Sequence, residues 1–309
     1  MSNAFTSTTA LAGLVQTAYD RYVEFALRSQ PLFRNLADKR PVQQAMPGSS
    51  VVFSLYQDLA AKTATLTETV DPDAVAISNV TTVTVTLNEY GNTVLNTRKL
   101  GEFAFSDVDP AVANIVAYNM ADSIDRVVVA ELVGGPNVLY SGSATATSGV
   151  TAAMTLDSAD IRKAVAKMRA ANAVPREGML YAAYVHPEVA HDLRAETGQN
   201  AFEDIRKYTD PNVGNILNQV TGVLGGAYFV ETPRAATALD GSGSAKVYRT
   251  IVAGQQALAE ATAVEPSVVI GPVVDKLMRF RPIGWYSLQG WKRYRDAALY
   301  RIESGSSIA

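Results

Sequence analysis

The side chains able to do chemistry are few, and their spacing argues against catalysis. The chain carries two histidines and no cysteine, which excludes disulfides, a thiolate nucleophile and thiolate metal sites. His186 and His191 lie in HPEVAH. Five residues along a helix set two side chains about 140° apart, whereas zinc-binding helices offer histidines four apart on one face. His186-Pro187 is better explained as a helix start. Neither GxxxxGK[ST] nor GxSxG occurs, and the glycine-rich run Gly222 to Ala227 lacks the lysine of a phosphate cradle. Glu203 and Asp204 have the pattern of a solvated helix face. One stretch, 276–301, is densely basic: Lys276, Arg279, Arg281, Lys292, Arg293, Arg295 and Arg301 alternate there with Trp285, Tyr286, Trp291 and Tyr294. A nucleic-acid groove has this composition. So does a contact between protein subunits, where Arg, Trp and Tyr are enriched. Acidic residues elsewhere on the chain favour the contact. No catalytic, cofactor-binding or metal-binding residue is assigned, and no cofactor is expected.

The elements that must carry these residues centre on a long helix. In Asp107 to Gly134, apolar Val112, Ile115, Val116, Ile124, Val127, Val128 and Leu132 recur at helical spacing. Asp122, Asp125, Arg126 and Glu131 fall between them. Asp107 or Asp109 caps the start, Pro110 sits where a missing N–H costs nothing, and Gly134-Gly135-Pro136 stops the helix. Roughly 25 residues at 1.5 Å each make a rod of about 37 Å.

A ribbon precedes the rod. Ser50 to Tyr56 is one strand and Val80 to Thr97 a second, longer one. In the second, Val83, Val85 and Leu87 face one way and the intervening threonines the other. Gln57 to Asn79 between them is too long for a hairpin tip inside a compact domain. A two-stranded ribbon is marginal in water, so its apolar face needs a partner surface, and another chain is one candidate. The ribbon is acidic, with Glu68, Asp71 and Asp73 against Lys62, and its base is basic, with Arg98 and Lys99. Ahead of it, Thr6 to Arg28 is a helix, followed by an extended arm punctuated by Pro31, Pro41 and Pro47.

Beyond the rod, α and β segments alternate. Leu156 to Asn172 is a helix capped near Asp157 or Ser158, with Ile161, Val165 and Met168 inward. Met179–Val185, Ala227–Glu231 and Lys246–Ala253 are strands; Pro187–Glu196 and Phe202–Lys207 are short helices. Asn212 to Val223 is irregular, and 268–302 holds long extended segments. With 48% hydrophobic and 18% charged residues and a net charge of −3, the chain is core-forming, without the charge signature of a nucleic-acid binder. The N-terminus has no basic region of a secretory signal. The longest uncharged run, Leu132 to Leu156, is too rich in Gly, Ser and Thr for a membrane span. A soluble protein of a reducing cytoplasm, or of a particle assembled there, is expected.

The order of arm, ribbon, rod and α/β domain resembles tailed-bacteriophage major capsid proteins of the Hong Kong 97 fold. Four phrases strengthen the likeness: YAAYVHPEVAHDLRAE at 181–196, VTGVLGGAYFVETPRA at 220–235, VYRTIVAGQQALAEAT at 247–262, and VVIGPVVDKLMRFRPIGWYSLQGWKRYRDAALYRIES at 268–304. They are similar to the branch typified by the coat protein of phage N-four. The resemblance implies an α+β Hong Kong 97-type capsid fold: an N-terminal arm at 1–49, an extended loop at 50–101, and a peripheral domain with the spine helix at 102–153. An axial domain would follow at 154–267, and the C-terminal strands of the peripheral domain at 268–309.

The implied function is structural: self-assembly into hexamers and pentamers of an icosahedral head around double-stranded DNA, in the virion, after assembly in the host bacterial cytoplasm. Implied partners are further copies of the chain, a separate scaffolding protein or none, the portal, decoration proteins and non-specifically packaged DNA, with no membrane. Candidate inter-subunit contacts are Lys62, Glu68, Asp71 and Asp73 on the loop, and Arg98, Lys99, Arg279 and Arg281. Some relatives cross-link lysine to asparagine, but no acceptor aligns with Lys62, which is taken as an ordinary surface lysine. Two rival readings remain, an encapsulin-like nanocompartment shell and a soluble α/β enzyme whose aromatic C-terminal segment lines a pocket.

Overall fold

The computed structural model describes residues 31–41, 50–56, 59–69, 71–75, 80–103, 108–197, 220–273 and 275–308. The expected helices at 6–28 and 202–207, with Glu203 and Asp204, lie outside them.

In chain order, a 3₁₀ turn at Phe33–Leu36 leads into β1 (Ala37–Pro41). Then come β2 (Ser50–Tyr56), β3 (Val80–Thr86), β4 (Asn88–Thr97), α1 (Arg98–Phe103) and the rod α2 (Val108–Val133). There follow β5 (Val138–Tyr140), α3 (Ser158–Ala170), β6 (Tyr181–Val185), α4 (Pro187–Ala195), β7 (Val220–Leu224), β8 (Ala227–Glu231) and β9 (Thr237–Ala238). The chain ends with β10 (Val247–Ala253), β11 (Leu258–Ile270), β12 (Phe280–Arg293) and β13 (Leu299–Ser304).

The strands form a four-stranded sheet in the order β1-β11-β12-β4, a seven-stranded sheet following β5-β13-β10-β6-β8-β7 with β9 beside β10, and the hairpin β2-β3. Residues three apart on β6 identify the two faces of the larger sheet. Tyr181 donates to the Ala173 carbonyl just beyond α3, at 2.7 Å, while the Tyr184 ring lies 4.9 Å from Phe33 of the arm. Thus α3 covers one face, and the arm lies against the other. The expected division between 267 and 268 falls within β11, and β13 joins the sheet of β6, β8 and β10.

The long strand expected at 80–97 breaks at Leu87. Up to Thr86 the chain pairs with β2, and from Asn88 it pairs with β12. The crossing is possible because residue 290 is glycine: a Cβ there would stand 2.1 Å from the Thr86 carbonyl oxygen and 2.9 Å from Val85. The ribbon's apolar face is also corrected. It is covered by its own chain: Phe53 and Val85 are buried with Ala259, Ala261 and Tyr294, flanked by Val51, Leu55, Val83 and Leu87. The two alanines leave room for Phe53, whose ring lies 5.8 Å from that of Tyr294. A second correction concerns residues 220–223, expected irregular: they belong to β7, hairpinned to β8. Gly225 and Gly226, at φ +60° and +92°, supply the two positive-φ positions that a two-residue hairpin loop requires.

The rod's apolar positions serve the core, with Val116, Ile124, Val128 and Leu132 buried, but Ile115 points to solvent. Asp125, one of the polar positions, is 1% exposed. Its carboxylate accepts from the Phe33 N–H at 2.8 Å and from Arg234 Nε at 2.8 Å. Arg234 also donates to Asp122 and, at 3.3 Å, to the Tyr118 hydroxyl. This knot ties the rod to the arm and to the loop after β8. The arm has further anchors. Arg34 pairs with the fully buried Glu260 of β11 at 2.6 Å, Arg176 donates to the Asn35 and Leu36 carbonyls at 2.5 and 3.1 Å, and Asp38 accepts from Gln256 N–H at 2.9 Å. For Asp122, burial opposes the charge, but the hydrogen bonds and charges of Arg234 and Arg126 outweigh it and hold the carboxyl below its ordinary 3.8.

Three outcomes are expected. Arg234→Leu strands the buried Asp125 carboxylate, and chemical denaturation should show a loss of about 3–5 kcal/mol. Because the folded pKa of Asp122 is depressed, its contribution is complete above the ordinary value and disappears as pH falls through the lower folded one. Melting temperature below about pH 4 should therefore fall more steeply for the native chain than for Asp122→Asn. Gly290→Ala forces the hairpin off β12, with a cost of about 1–3 kcal/mol, visible as a lower melting temperature and faster proteolysis near residues 59–75.

Candidate interaction surfaces

Two of the outer features hold the predicted contact residues. The first is the loop beyond the hairpin. Its described residues, 59–69 and 71–75, form neither helix nor strand, and every one is exposed. Lys62, Glu68, Asp71 and Asp73 all lie here, and none makes an ion pair with another described residue.

The second is the root of the ribbon. Thr97 Oγ1 accepts from the Leu100 N–H at 3.2 Å and so caps α1, and Arg98 N–H donates to the Arg279 carbonyl at 2.8 Å. The pairing of Thr97 with Phe280 and Asn96 with Arg281 brings Arg98, Arg279 and Arg281 around one cleft of about 390 Å³, with Glu102, Met278 and Phe280 in its wall. Arg279 pairs with Asp275 at 2.5 Å and lies 5.1 Å from the Phe280 ring. That hydrogen bond holds the Asp275 carboxyl below its usual range. Arg98 reaches Glu102 at 3.7 Å with both side chains exposed, a contact of small energetic weight. Lys99 is exposed on α1 and does not line the cleft. Thus three of the basic candidates converge, while the loop acids are not among the cleft's lining residues.

The rest of the basic segment turns inward. Lys292 and Arg293 both pair with Glu131 of the rod, at 3.6 and 3.3 Å. Arg301 and Arg249 flank the fully buried Glu303 at 2.9 and 3.3 Å. Arg295 caps the end of α3 through the Ala171 carbonyl at 3.1 Å. Trp285 is buried, donating to Asn119 of the rod at 3.0 Å, and Trp291 packs with Tyr90. A nucleic-acid groove therefore loses both its tryptophans and most of its cations here.

The histidines act locally. His186 Nδ1 accepts from the Glu188 N–H at 3.3 Å and caps α4, and burial lowers its pKa. His191 stands 3.3 Å from Asp192. That carboxylate accepts from the Ser307 N–H at 2.9 Å and from its hydroxyl, so the pair fastens the C-terminal segment to α4. Among the described residues no group of three side chains suited to a metal occurs.

Sequence reasoning missed an apolar surface at the far end of the four-stranded sheet. Val268, Val269 and Ile270 of β11, Leu95 of β4 and Leu277 and Met278 of the following turn are all exposed, and β4 pairs with a neighbour on one side only. The signal was the unbroken run Val268-Val269-Ile270, without the alternation of a strand with one wet face.

A family model described as phage capsid protein matches residues 8–308. No curated protein matches the chain. Among solved structures, the chain is similar to the cyanophage Pam1 capsid asymmetric unit at 15% identity, covering 99% of this chain and 100% of that one with a TM-score of 0.75. It is similar to the capsid of Ralstonia phage GP4 at 16% identity, over 99% and 98% of the two chains, with a TM-score of 0.75. The acidic stable capsid structure of Helicobacter pylori bacteriophage KHP30 matches at 15% identity, over 98% and 99%, with a TM-score of 0.74. At these identities the likeness is one of fold.

Proposed function

This chain belongs to the phage capsid protein family, and from that premise we propose how one copy grips the next. It is a structural major capsid protein with the Hong Kong 97-type fold, located in the virion, and copies of it assemble into the capsid lattice. It is a building block and not an enzyme, and the nanocompartment reading is not favoured. In the reading proposed here, the exposed loop of one subunit, through Glu68, Asp71 and Asp73, lies against the basic root of a neighbour, through Arg98, Lys99, Arg279 and Arg281. Lys62 contributes as an ordinary surface cation at that contact.

One observation carries the reading. The hairpin below the loop already satisfies its apolar face within the chain, yet 59–69 and 71–75 are exposed throughout. An acidic segment held out by a packed ribbon meets a cationic cleft best on another copy, because complementary charge steers and registers such contacts. Within this scheme, 1–49 is the arm, 50–101 the extended loop, 102–153 the peripheral domain with the spine helix, 154–267 the axial domain and 268–309 the returning strands. Copies group as hexamers and pentamers around double-stranded DNA. A separate scaffolding protein guides assembly, and the portal and decoration proteins complete the head.

Deleting 60–79 should leave a folded, soluble subunit that no longer closes into shells by electron microscopy. A charge swap is sharper. Arg279→Glu with Arg281→Glu should abolish shells, and adding Glu68→Lys, Asp71→Lys and Asp73→Lys to the same chain should restore them. Normal shells from the deletion, or no rescue by the swap, would refute the pairing.

A further inference from the structure

The axial helix α3 carries a one-sided charge. Its inward face is Ile161, Ala164, Val165 and Met168, all buried. On its outward face, helical spacing sets Arg162 and Arg169 along one flank and Lys163 and Lys167 along the other, with Ala166 and Ala170 between, and all six are exposed. The helix shows no exposed carboxylate in return: Asp157 caps the Asp160 N–H at 2.8 Å, and Asp160 is buried. Lys163, Lys167 and Arg169 form no ion pair with a described residue. Lys167 and Arg169 in the last turn suit the helix dipole, but Lys163 in the middle has no such reason.

The β7-β8 turn supports one flank. A Cβ on Gly225 would lie 2.9 Å from Arg162 Cγ, and one on Gly226 would lie 2.6 Å from Arg169 Nη2. The glycine turn thus leaves room for the Arg162 stem and for the Arg169 guanidinium, which donates to the Met179 carbonyl at 3.5 Å, while Arg162 donates to the Ser158 hydroxyl at 3.2 Å.

Which partner fits follows from what this face lacks. It has no aromatic and no large aliphatic side chain, and although arginine is enriched at protein–protein interfaces, lysine and alanine are among the residues depleted from them. Two cationic rows with a shallow alanine furrow between them suit a phosphodiester strand. Lysines four residues apart stand about 6 Å apart along the helix axis, near twice the roughly 3.4 Å that each phosphate of one strand advances along the duplex axis. Resting on the capsid reading above, we propose that the outer face of α3 binds the phosphate backbone of packaged double-stranded DNA without reading its sequence. That face of the axial domain then looks into the head. The arm and its knot lie on the opposite face of the same sheet, so a DNA contact here leaves them untouched.

The test titrates the full-length subunit against a labelled random-sequence duplex of about 30 base pairs over a salt series, beside Lys163→Ala/Lys167→Ala. Each phosphate contact contributes about −0.9 to the slope of log affinity against log salt. The double variant should bind more weakly, with a slope shallower by about 2, and its circular-dichroism melt should match the native one because both lysines are exposed. An unchanged slope overturns the proposal. So does a variant that binds DNA normally but forms no shells, since α3 would then be a protein contact. Micrographs of the native chain judge the capsid reading separately, because the titration needs no shell.

Discussion

A buried charge knot on the rod holds the chain's distant parts in one arrangement. Asp125 would be costly alone in the core, since an unpaired carboxylate removed from water loses several kcal/mol. It is stable there because Arg234 arrives from the loop after β8 and the Phe33 N–H arrives from the arm. The carboxylate therefore tolerates burial only when three segments far apart in sequence are assembled together. Arg34 on Glu260 repeats the logic on the four-stranded sheet. Apolar packing supplies most of the driving force for the fold, but it is non-directional. These charged contacts specify where along the rod the arm and the large sheet must sit.

The same economy explains what is left for neighbours. The hairpin buries Phe53 and Val85 against Ala259, Ala261 and Tyr294, so one copy needs no second chain to hold its ribbon down. Cations of the basic C-terminal segment are engaged with Glu131 and Glu303. Among the described residues, the fold leaves available the loop, the cleft at the ribbon's root, the apolar end of the four-stranded sheet and the outer face of α3.

Much of this was legible in the residues. The rod, β2, β8, β10, α3 with its Asp157 cap and α4 with its His186 cap followed from periodicity and capping chemistry, which are local. The misses arise where the outcome depends on a distant residue. Val83, Val85 and Leu87 alternate as expected of a strand with one apolar face, but nothing near them announces that Ala259 and Ala261 cover it. The break at Leu87 depends on Gly290, some two hundred positions away. Asp125 looked like one polar position among others, because the residues that make its burial tolerable, Arg234 and Phe33, are remote. The β7-β8 hairpin was different: Gly225-Gly226 was a local signal of a two-residue turn, applied to only one of the strands it joins.

The passage from β3 to β4 bears on curvature. A closed lattice cannot be flat, so each copy must meet its neighbours at an angle. At Leu87 a single residue separates two ladders, Ser50↔Thr86 on one side and Asn88↔Gln289 on the other. Each ladder ends before the other begins, so a change of direction at this residue would break neither register. The bare backbone of Gly290 lies beneath it, and the small cluster around Phe53 holds the hairpin against the sheet. Leu87 is therefore the position at which a change of angle costs neither ladder a pair.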